Sequence, residues 1–200
     1  VLMIAYTNYR TDPRVIRAAE AAVSAGFAVD FLTLRREGES DEESINGVRV
    51  VRLNQFRYRG GNVLAYVLSY LEFFVRCSIR AAVLQFRKRY VLVHVNNMPD
   101  FFVFCAIVAK LMGAKVLLDI HDPMPNTFAS KFKSGESGFL FRGLLWQEKL
   151  SAWFADRVLT VHEPLKEYVL VAQHGLRADR IDVIANFADD RLFAETVSQD

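Results

Sequence analysis

Residues 91–126 read VLVHVNNMPDFFVFCAIVAKLMGAKVLLDIHDPMPN and contain a complete strand–helix–strand pattern. Two aliphatic runs, 91–97 and 115–120, flank a segment that begins with Pro99 and ends with Gly113, residue types that open and close helices. Both runs are almost continuously apolar, as is typical of parallel strands that are covered on both faces. The stretch therefore predicts a right-handed β-α-β crossover within a parallel sheet.

The same alternation of strand and helix extends over the rest of the chain. Further strands are predicted at 1–7, 28–34, 48–53, 157–162 and 180–186. Further helices are predicted at 12–26, 62–89, 139–155 and 164–175. The first helix has Asp12 at its N-cap and Pro13 in its first turn, and the charged run REGESDEES (36–44) is predicted to be a solvated surface loop. The pattern as a whole predicts an α/β fold, with a doubly wound, mostly parallel sheet of the Rossmann-like type.

The composition is that of an ordinary globular chain. Of 200 residues, 52% are hydrophobic and 24% are charged, so the chain can bury a core without disulfides. The formal net charge of +2 gives no overall signal for nucleic acid binding. Cys77 and Cys105 lie in apolar segments without CxxC spacing, which favours reduced core thiols in a cytoplasmic protein. No signal peptide is evident and Val1 already belongs to a predicted strand, so we expect the chain to be trimmed at its start, and at its end as well.

Polar residues follow several predicted strands at their carboxyl ends, where the working groups of doubly wound sheets lie. These candidates are Asn8, Arg10 and Arg14 after the first strand, Asn97 after the fourth, His121 and Asp122 after the fifth, and His162 after the sixth. The loop after the first strand has no G-x-G-x-x-G or P-loop fingerprint, which argues against a classical NAD(P) or NTP domain. Its arginines either bind an anionic ligand or are surface charges, and Asn97 either bonds a hydroxylated ligand or belongs to a polar turn.

The pair His121-Asp122 is the most informative of these, because a buried strand ends there on two titratable side chains followed by proline. A histidine just past a core strand can donate a hydrogen bond or shuttle a proton; the competing interpretation is a structural histidine beside a turn. Asp119 is predicted to be a buried carboxylate with its hydrogen bonds satisfied. His94 is predicted to be a hydrogen-bonded core residue, and His174 a surface or cap residue. Four histidines without acid-rich spacing predict no metal site.

The predicted helix at 62–89 is rich in apolar residues but is interrupted by Glu72, Arg76 and Arg80, so it is not predicted to span a membrane. One interpretation is a core-facing helix with a solvated basic side. The other is a basic amphipathic surface that touches anionic lipid, together with the aromatic and basic residues of 131–142.

Four segments together resemble the N-terminal domain of the retaining GT-B glycosyltransferases of family 4. They are DPRVIRAAEAAVSAGFAVDFLTL (12–34), the strand–helix–strand stretch at 91–126, ADRVLTVHEPLKEYV (155–169) and RIDVIANFADDRLF (180–193). The third segment usually reads AD-x-V-x-x-x-S in that family, with His162 here in place of the serine. The fourth usually reads V-I-P-N-G-V-D…F, with Ala185 here for the proline and Phe187-Ala188 for Gly-Val. The Gly-Gly loop that many members carry after the first strand is absent.

The resemblance implies that 1–186 form the acceptor-side domain and that 187–200 begin a linker to a C-terminal donor-binding domain that this sequence lacks. It implies retaining transfer of a sugar from a nucleotide-sugar donor to an acceptor hydroxyl, in polysaccharide or glycolipid synthesis. It implies no required metal or other cofactor, and no activity for this chain without its second domain.

The resemblance also implies roles for the candidate residues. His121 matches the family's histidine near the reacting centre, where it would position the transferred sugar or the acceptor and stabilise developing charge. Asp122 would orient His121 or act on the acceptor. The substrate-binding candidates are Asn8, Arg10, Arg14, Asn97 and His162. A basic, apolar surface suits a lipid-linked glycan as acceptor, with the protein in the cytoplasm on the inner face of the membrane.

Other functions remain open at this point. A nucleotide-sugar 2-epimerase is built on the same two-domain frame, and a free-standing, non-catalytic ligand-binding domain is a further alternative. A cofactor-binding Rossmann oxidoreductase ranks last because the glycine fingerprint is missing.

Overall fold

The structure, a computed structural model, describes residues 1–58, 60, 62–125 and 139–185. Several sequence-based predictions fall outside these residues. They are the linker at 187–200, the last residue of the strand at 180–186, and the part of the proposed lipid-binding surface at 131–138.

Eight strands form one sheet. They are β1 (Leu2–Ile4), β2 (Val29–Leu34), β3 (Glu42–Ile45), β4 (Val48–Leu53), β5 (Leu92–Asn96), β6 (Lys115–Ile120), β7 (Arg157–Thr160) and β8 (Ile181–Val183). Their order is β3-β4-β2-β1-β5-β6-β7-β8, and every pairing is parallel except that of β3 with β4. The chain winds outward from β1 in both directions, so the predicted α/β class and the doubly wound, mostly parallel sheet are confirmed.

The edge strand β3 corrects the sequence analysis, which predicts the whole run 36–44 to be a solvated loop. The acidic residues of β3 pair with arginines of β4, although Glu42 remains 41% exposed. Arg52, whose side chain is 1% exposed, lies 2.8 Å from Glu43, and Arg49 lies 2.6 Å from Glu42. These cross-strand charge pairs allow a charged segment to form a strand at the edge of the sheet.

Helices cover both faces of the sheet. The α-helices are α1 (Pro13–Ser24), α2 (Val63–Lys88), α3 (Ile107–Leu111) and α4 (Phe139–Phe154). The predicted N-cap of α1 is confirmed, because the Asp12 side chain accepts from the backbone N–H of Arg14. The helix predicted between Pro99 and Gly113 is a 3-10 helix, Asp100–Ala106, followed by α3, and the one predicted at 164–175 is a π-helix, Leu165–Gln173. A pattern of apolar residues indicates a helix but does not separate these helix types.

The two faces of the sheet carry separate cores. Under α1, Val15 packs in the same cluster as Phe31 of β2. On the other face, α2, the 3-10 helix and α4 share a larger core that includes Phe73. Cys77 and Cys105 are buried in this second core as free thiols, as predicted, and burial raises the pKa of Cys77 above its usual value. This packing fixes the carboxyl ends of β1, β5 and β6 side by side.

Candidate active site

A cleft opens at the carboxyl ends of β1, β5 and β6, where a doubly wound sheet places its ligands. It encloses a cavity of about 130 Å³. Four of the predicted site residues line it: Arg14, Asn97, His121 and Asp122. Four further residues that the sequence analysis did not single out also line it: Tyr6, Arg57, Tyr66 and Tyr70.

His121 follows β6 directly, so its side chain leaves the sheet on the same side as that of Asp119, two residues earlier. His121 Nε2 lies 3.1 Å from Asp119 Oδ2, and the two side chains are only 10% and 12% exposed. Because a carboxylate can only accept, the proton of this contact is assigned to Nε2, and Nδ1 carries a lone pair. Nδ1 is buried and has no hydrogen-bond partner among the described residues. One nitrogen of the ring is therefore anchored, and the other is a buried acceptor left without a partner among the described residues.

Asp119 is the buried, bonded carboxylate that the sequence predicts. Burial by itself raises the pKa of Asp119, but the neighbouring imidazoles of His121 and His94 outweigh burial and hold this pKa well below its usual range. The carboxylate therefore stays ionised beside His121. His94 is buried as predicted. Its Nε2 lies 3.6 Å from Asp119 Oδ2, beyond hydrogen-bond distance, and has no hydrogen-bond partner among the described residues.

Asn97 joins the ends of β5 and β6. Its Oδ1 accepts from the backbone N–H of His121 at 3.1 Å, and its Nδ2 donates to the backbone carbonyl of Asp122 at 2.7 Å. The same Nδ2 donates to Oδ1 of Asp100 at 3.0 Å. The amide thus holds the backbone of His121-Asp122 in place, and the Asp122 side chain is exposed at the cleft. Direct contact of Asn97 with substrate stays a prediction.

Three tyrosines form an aromatic wall of the cleft. Tyr66 and Tyr70, one turn apart on α2, have ring centroids 4.7 Å apart, and Tyr6 lies 4.8 Å from Tyr70, both pairs edge to face. Tyr70 Oη donates to Tyr66 Oη at 2.7 Å. The sequence signal for this wall was the four-residue spacing of Tyr66 and Tyr70 on a predicted helix.

The two arginines after β1 have different surroundings. Arg14 lines the cleft, with Nε 3.3 Å from Oδ1 of Asp12. Arg10 is half exposed and forms ion pairs with Glu43 and Glu39 beside the edge strand. Anion binding by Arg14 stays a prediction, whereas Arg10 lies outside the cleft.

Asn8 and His162 also lie outside the residues that line the cleft. Asn8 Nδ2 donates to Oε2 of Glu39 at 3.2 Å. His162 Nδ1 accepts from the backbone N–H of Leu165 at 3.1 Å, and so caps the π-helix. The His162 side chain is engaged in this cap, so the structure gives no support to the predicted binding of substrate by His162.

His174 is the C-cap residue of the π-helix, so the predicted alternative of a cap residue is confirmed. The alternative of a surface residue is wrong, because the side chain is buried. Its Nε2 is 2.6 Å from Oε1 of Glu148 in α4, and the two side chains are 2% and 1% exposed. Trp153 Nε1, also in α4, donates to the His174 backbone carbonyl at 3.0 Å. The end of the π-helix is therefore tied to α4, a contact between residues distant in sequence that no local pattern indicates.

Asp100 is fully buried next to this pair, and we predict that its titration makes the protein less stable as pH rises. Burial, followed by the charge of Glu148, raises the pKa of Asp100 from 3.8 to about 8, although the hydrogen bond from Asn97 acts in the opposite direction. Above about pH 4 the unfolded chain loses this proton while the folded chain keeps it, so stability decreases as pH rises from about 4 to 8.

The variant Asp100→Asn removes this titration and keeps an oxygen that can accept from Asn97. Relative to wild type, we expect Asp100→Asn to gain at least about 1.4 kcal/mol of unfolding free energy between about pH 5 and about pH 8. Urea denaturation of both proteins at the two pH values measures this difference. An equal difference at both pH values would contradict the raised pKa.

Known proteins share the sequence pattern and the fold. The family of glycosyl transferase 4-like domains matches residues 12–186. No curated protein matches the chain. A sucrose-phosphate synthase from Thermosynechococcus elongatus is 16% identical, with a TM-score of 0.65 over 96% of this chain and 49% of that chain. HepE from Anabaena, in complex with UDP-glucose, is 14% identical, with a TM-score of 0.57 over 96% of this chain and 45% of that chain. LpCGTa, in complex with UDP, is 12% identical, with a TM-score of 0.56 over 99% of this chain and 56% of that chain. The chain spans about half the length of the structures that it matches.

Proposed function

The chain belongs to the family of glycosyl transferase 4-like domains and has the Rossmann-like fold of a GT-B N-terminal domain, and from this premise we propose that it is the acceptor-side half of a retaining glycosyltransferase. The proposed reaction moves a sugar from a nucleotide-sugar donor to an acceptor hydroxyl. The observation that carries this proposal is the contact of 3.1 Å between His121 and an ionised Asp119 beside the cleft.

The reaction requires a hydroxyl held near the anomeric carbon and groups that stabilise the charge developing there. Overall, the bond from the anomeric carbon to the diphosphate breaks, a bond to the acceptor oxygen forms, and the acceptor proton leaves with the diphosphate. His121 Nδ1 can accept a hydrogen bond from a hydroxyl of the acceptor or of the transferred sugar. If a proton reaches Nδ1, the carboxylate of Asp119 at Nε2 stabilises the positive ring, as in other carboxylate–histidine pairs.

The donor is proposed to be a nucleotide sugar bound mainly by a second domain. HepE holds UDP-glucose and LpCGTa holds UDP, and both are about twice the length of the part that this chain matches.

The acceptor is proposed to be a glycan, which the aromatic wall (Tyr6, Tyr66 and Tyr70) would contact. Aromatic faces pack against the C–H face of a sugar ring, and phenol hydroxyls bond its hydroxyl groups. This wall lies on the same cleft as His121, so a sugar ring packed on it could present a hydroxyl to Nδ1.

The acceptor is further proposed to be lipid-linked, as in polysaccharide or glycolipid synthesis, because α2 is apolar on two faces. One face is buried in the core, and the other is exposed to solvent. The exposed stripe consists of Leu64, Leu68, Leu71, Val75 and Ile79, between 47% and 67% exposed and spaced three or four residues apart. Arg87 and Arg89 are exposed at the end of the same helix. No helix within 1–58, 62–125 and 139–185 is long and apolar enough to cross a bilayer. An apolar stripe with exposed arginines instead suits a surface that lies on anionic lipid.

We therefore expect Leu68→Glu with Ile79→Glu to weaken vesicle binding. Two carboxylates in place of exposed apolar side chains should lower the partition coefficient on phosphatidylcholine vesicles with about 30% phosphatidylglycerol by at least about tenfold. The matched control is Phe27→Glu, a similarly exposed apolar residue next to α1 on the opposite face of the sheet. Sedimentation with the vesicles measures the effect. Failure of the wild-type protein to bind, or equal losses in both variants, would contradict lipid contact through α2.

The donor proposal is tested by thermal stabilisation of the full-length enzyme with UDP-glucose, other sugar nucleotides and NAD(P). At about 100 times its dissociation constant a ligand adds about 2.7 kcal/mol of stability, enough for a clear increase in Tm. We expect stabilisation by one class of sugar nucleotide and none by NAD(P). Stabilisation by NAD(P) alone would overturn the proposal.

A further inference from the structure

The segment from His121 to Met124 is held by hydrogen bonds that come from below the cleft. Asn97 binds the N–H of His121 and the carbonyl of Asp122, as described above. Two residues further on, the backbone N–H of Met124 donates to Oε2 of Glu148 at 3.0 Å. The backbone of the segment that carries the two proposed catalytic residues is therefore fixed at three points.

The two side chains that hold the segment, Asn97 and Glu148, each contact a buried partner. Asp100 accepts from Asn97, and His174 lies 2.6 Å from the second oxygen of Glu148. Asp100, Glu148 and His174 are each at most 2% exposed. The two oxygens of Glu148 thus bond two different segments, the one after β6 and the end of the π-helix.

Burial of the two neighbouring carboxyl groups of Asp100 and Glu148 is costly, and stability alone does not explain it. Replacing buried polar pairs by apolar residues of similar size is often neutral or stabilising. Buried titratable groups next to a cleft instead indicate a functional requirement. Here the requirement is geometric, because catalytic groups have to be held within about 0.5 Å of their productive position.

We propose that Glu148, oriented by His174, is a positioning residue for the transfer reaction: it clamps Met124 so that His121 and Asp122 face the substrate. The inference rests on the proposed function for its catalytic part. Glu148 touches no reacting atom, and its effect reaches the substrate through three residues of backbone. Asn97, bonded to Asp100, holds the other end of the same segment through the backbone of His121 and Asp122.

The test compares four variants of the full-length enzyme. Glu148→Leu removes both hydrogen bonds, and Glu148→Asp keeps the charge but is one methylene too short to reach both partners. Glu148→Gln keeps a carbonyl for the Met124 N–H and an amide that can donate to His174, so it serves as the conservative rescue. The matched control is Gln147→Leu, on the same helix, whose described hydrogen bond goes to Ser151 and not to the clamped segment.

Two readouts are measured, hydrogen exchange at the Met124 amide and the kinetics of sugar transfer. For Glu148→Leu and Glu148→Asp we expect exchange at Met124 to accelerate at least about tenfold and kcat to fall about tenfold, with the donor KM almost unchanged. Glu148→Gln and Gln147→Leu should stay within about threefold of wild type in both readouts.

The outcomes separate this inference from the proposed function. Unchanged exchange at Met124 in Glu148→Asp would overturn the clamp, even if Glu148→Leu failed to fold. Faster exchange with an unchanged kcat would show that the clamp does not serve the reaction. A wild-type enzyme that transfers no sugar would overturn the proposed function, while the exchange data would still decide whether Glu148 holds the segment.

Discussion

Replacing His121 by alanine is expected to lower kcat of the full-length enzyme about 1,000-fold, within the range of general acid–base and positioning groups. The variant loses the Nδ1 lone pair that would hold the reacting hydroxyl, and it loses the ring that Asp119 orients. The donor KM should change only a few-fold, because the donor is proposed to bind mainly on the second domain. Steady-state transfer kinetics, with folding checked by circular dichroism, measure the effect.

His162→Ala is the matched control, since His162 also lies at the carboxyl end of a strand, two residues after the last residue of β7. His162 caps the π-helix through its Nδ1 and does not line the cleft. We expect a stability loss of about 1 kcal/mol from the lost cap and a kcat within about threefold of wild type. Equal losses of kcat in the two variants, or an active His121→Ala, would contradict the assignment of His121.

The second large effect is expected for Asp119→Asn, with a loss of about 100-fold in kcat. The asparagine can accept from Nε2 of His121 but carries no charge to stabilise a protonated ring, and its amide can favour the opposite tautomer. Measurement of kcat at a temperature well below the Tm of the variant separates this effect from a loss of folded protein. A kcat within about threefold of wild type would show that the carboxylate does not serve His121.

The same carboxylate makes stability depend on pH with a defined sign. The pKa of Asp119 in the folded protein lies below its ordinary value of 3.8, so its contribution is present above about pH 4 and is lost as pH falls further. Asp119→Asn should remove this contribution. The stability difference between wild type and variant should therefore be larger at about pH 6 than at about pH 3, which denaturant titrations measure.

The sheet was predictable because each of its parallel strands is indicated by a short, continuous stretch of sequence. Continuous aliphatic runs with helix signals between them predict parallel strands, and all seven predicted strands are present among the described residues. The strand β3 (Glu42–Ile45) was missed because its acidic residues are typical of loops. Its partners, Arg49 and Arg52, are on the following strand, and the sequence does not show that they pair.

The candidate site was predictable only for residues that directly follow a strand, because doubly wound sheets bind their ligands at the carboxyl ends of the strands. That rule brought Asn97, His121 and Asp122 to one cleft, and the contact of Asp119 with His121 follows from their spacing of two residues. Arg10 lies outside this cleft because it pairs with Glu43 of β3 and with Glu39 just before it, and the sequence does not show these contacts.

The contact of Tyr6 with Tyr70 and the Glu148 clamp were not predictable from the sequence, for a different reason. Both join residues far apart in the chain, such as Tyr6 with Tyr70 and Glu148 with Met124. The packing of α2 and α4 on the sheet decides these contacts, and an apolar pattern gives the existence of a helix but not its rotation against distant partners.

The stereochemistry of sugar transfer tests the central claim most directly. The full-length enzyme is incubated with the sugar nucleotide that stabilises it, and proton NMR follows the anomeric signals of the donor and of the first product. We expect a product with the anomeric configuration of the donor, formed at a rate that falls with His121→Ala. An inverted product, a sugar nucleotide changed only at its C2 position, or no turnover of any donor would contradict it.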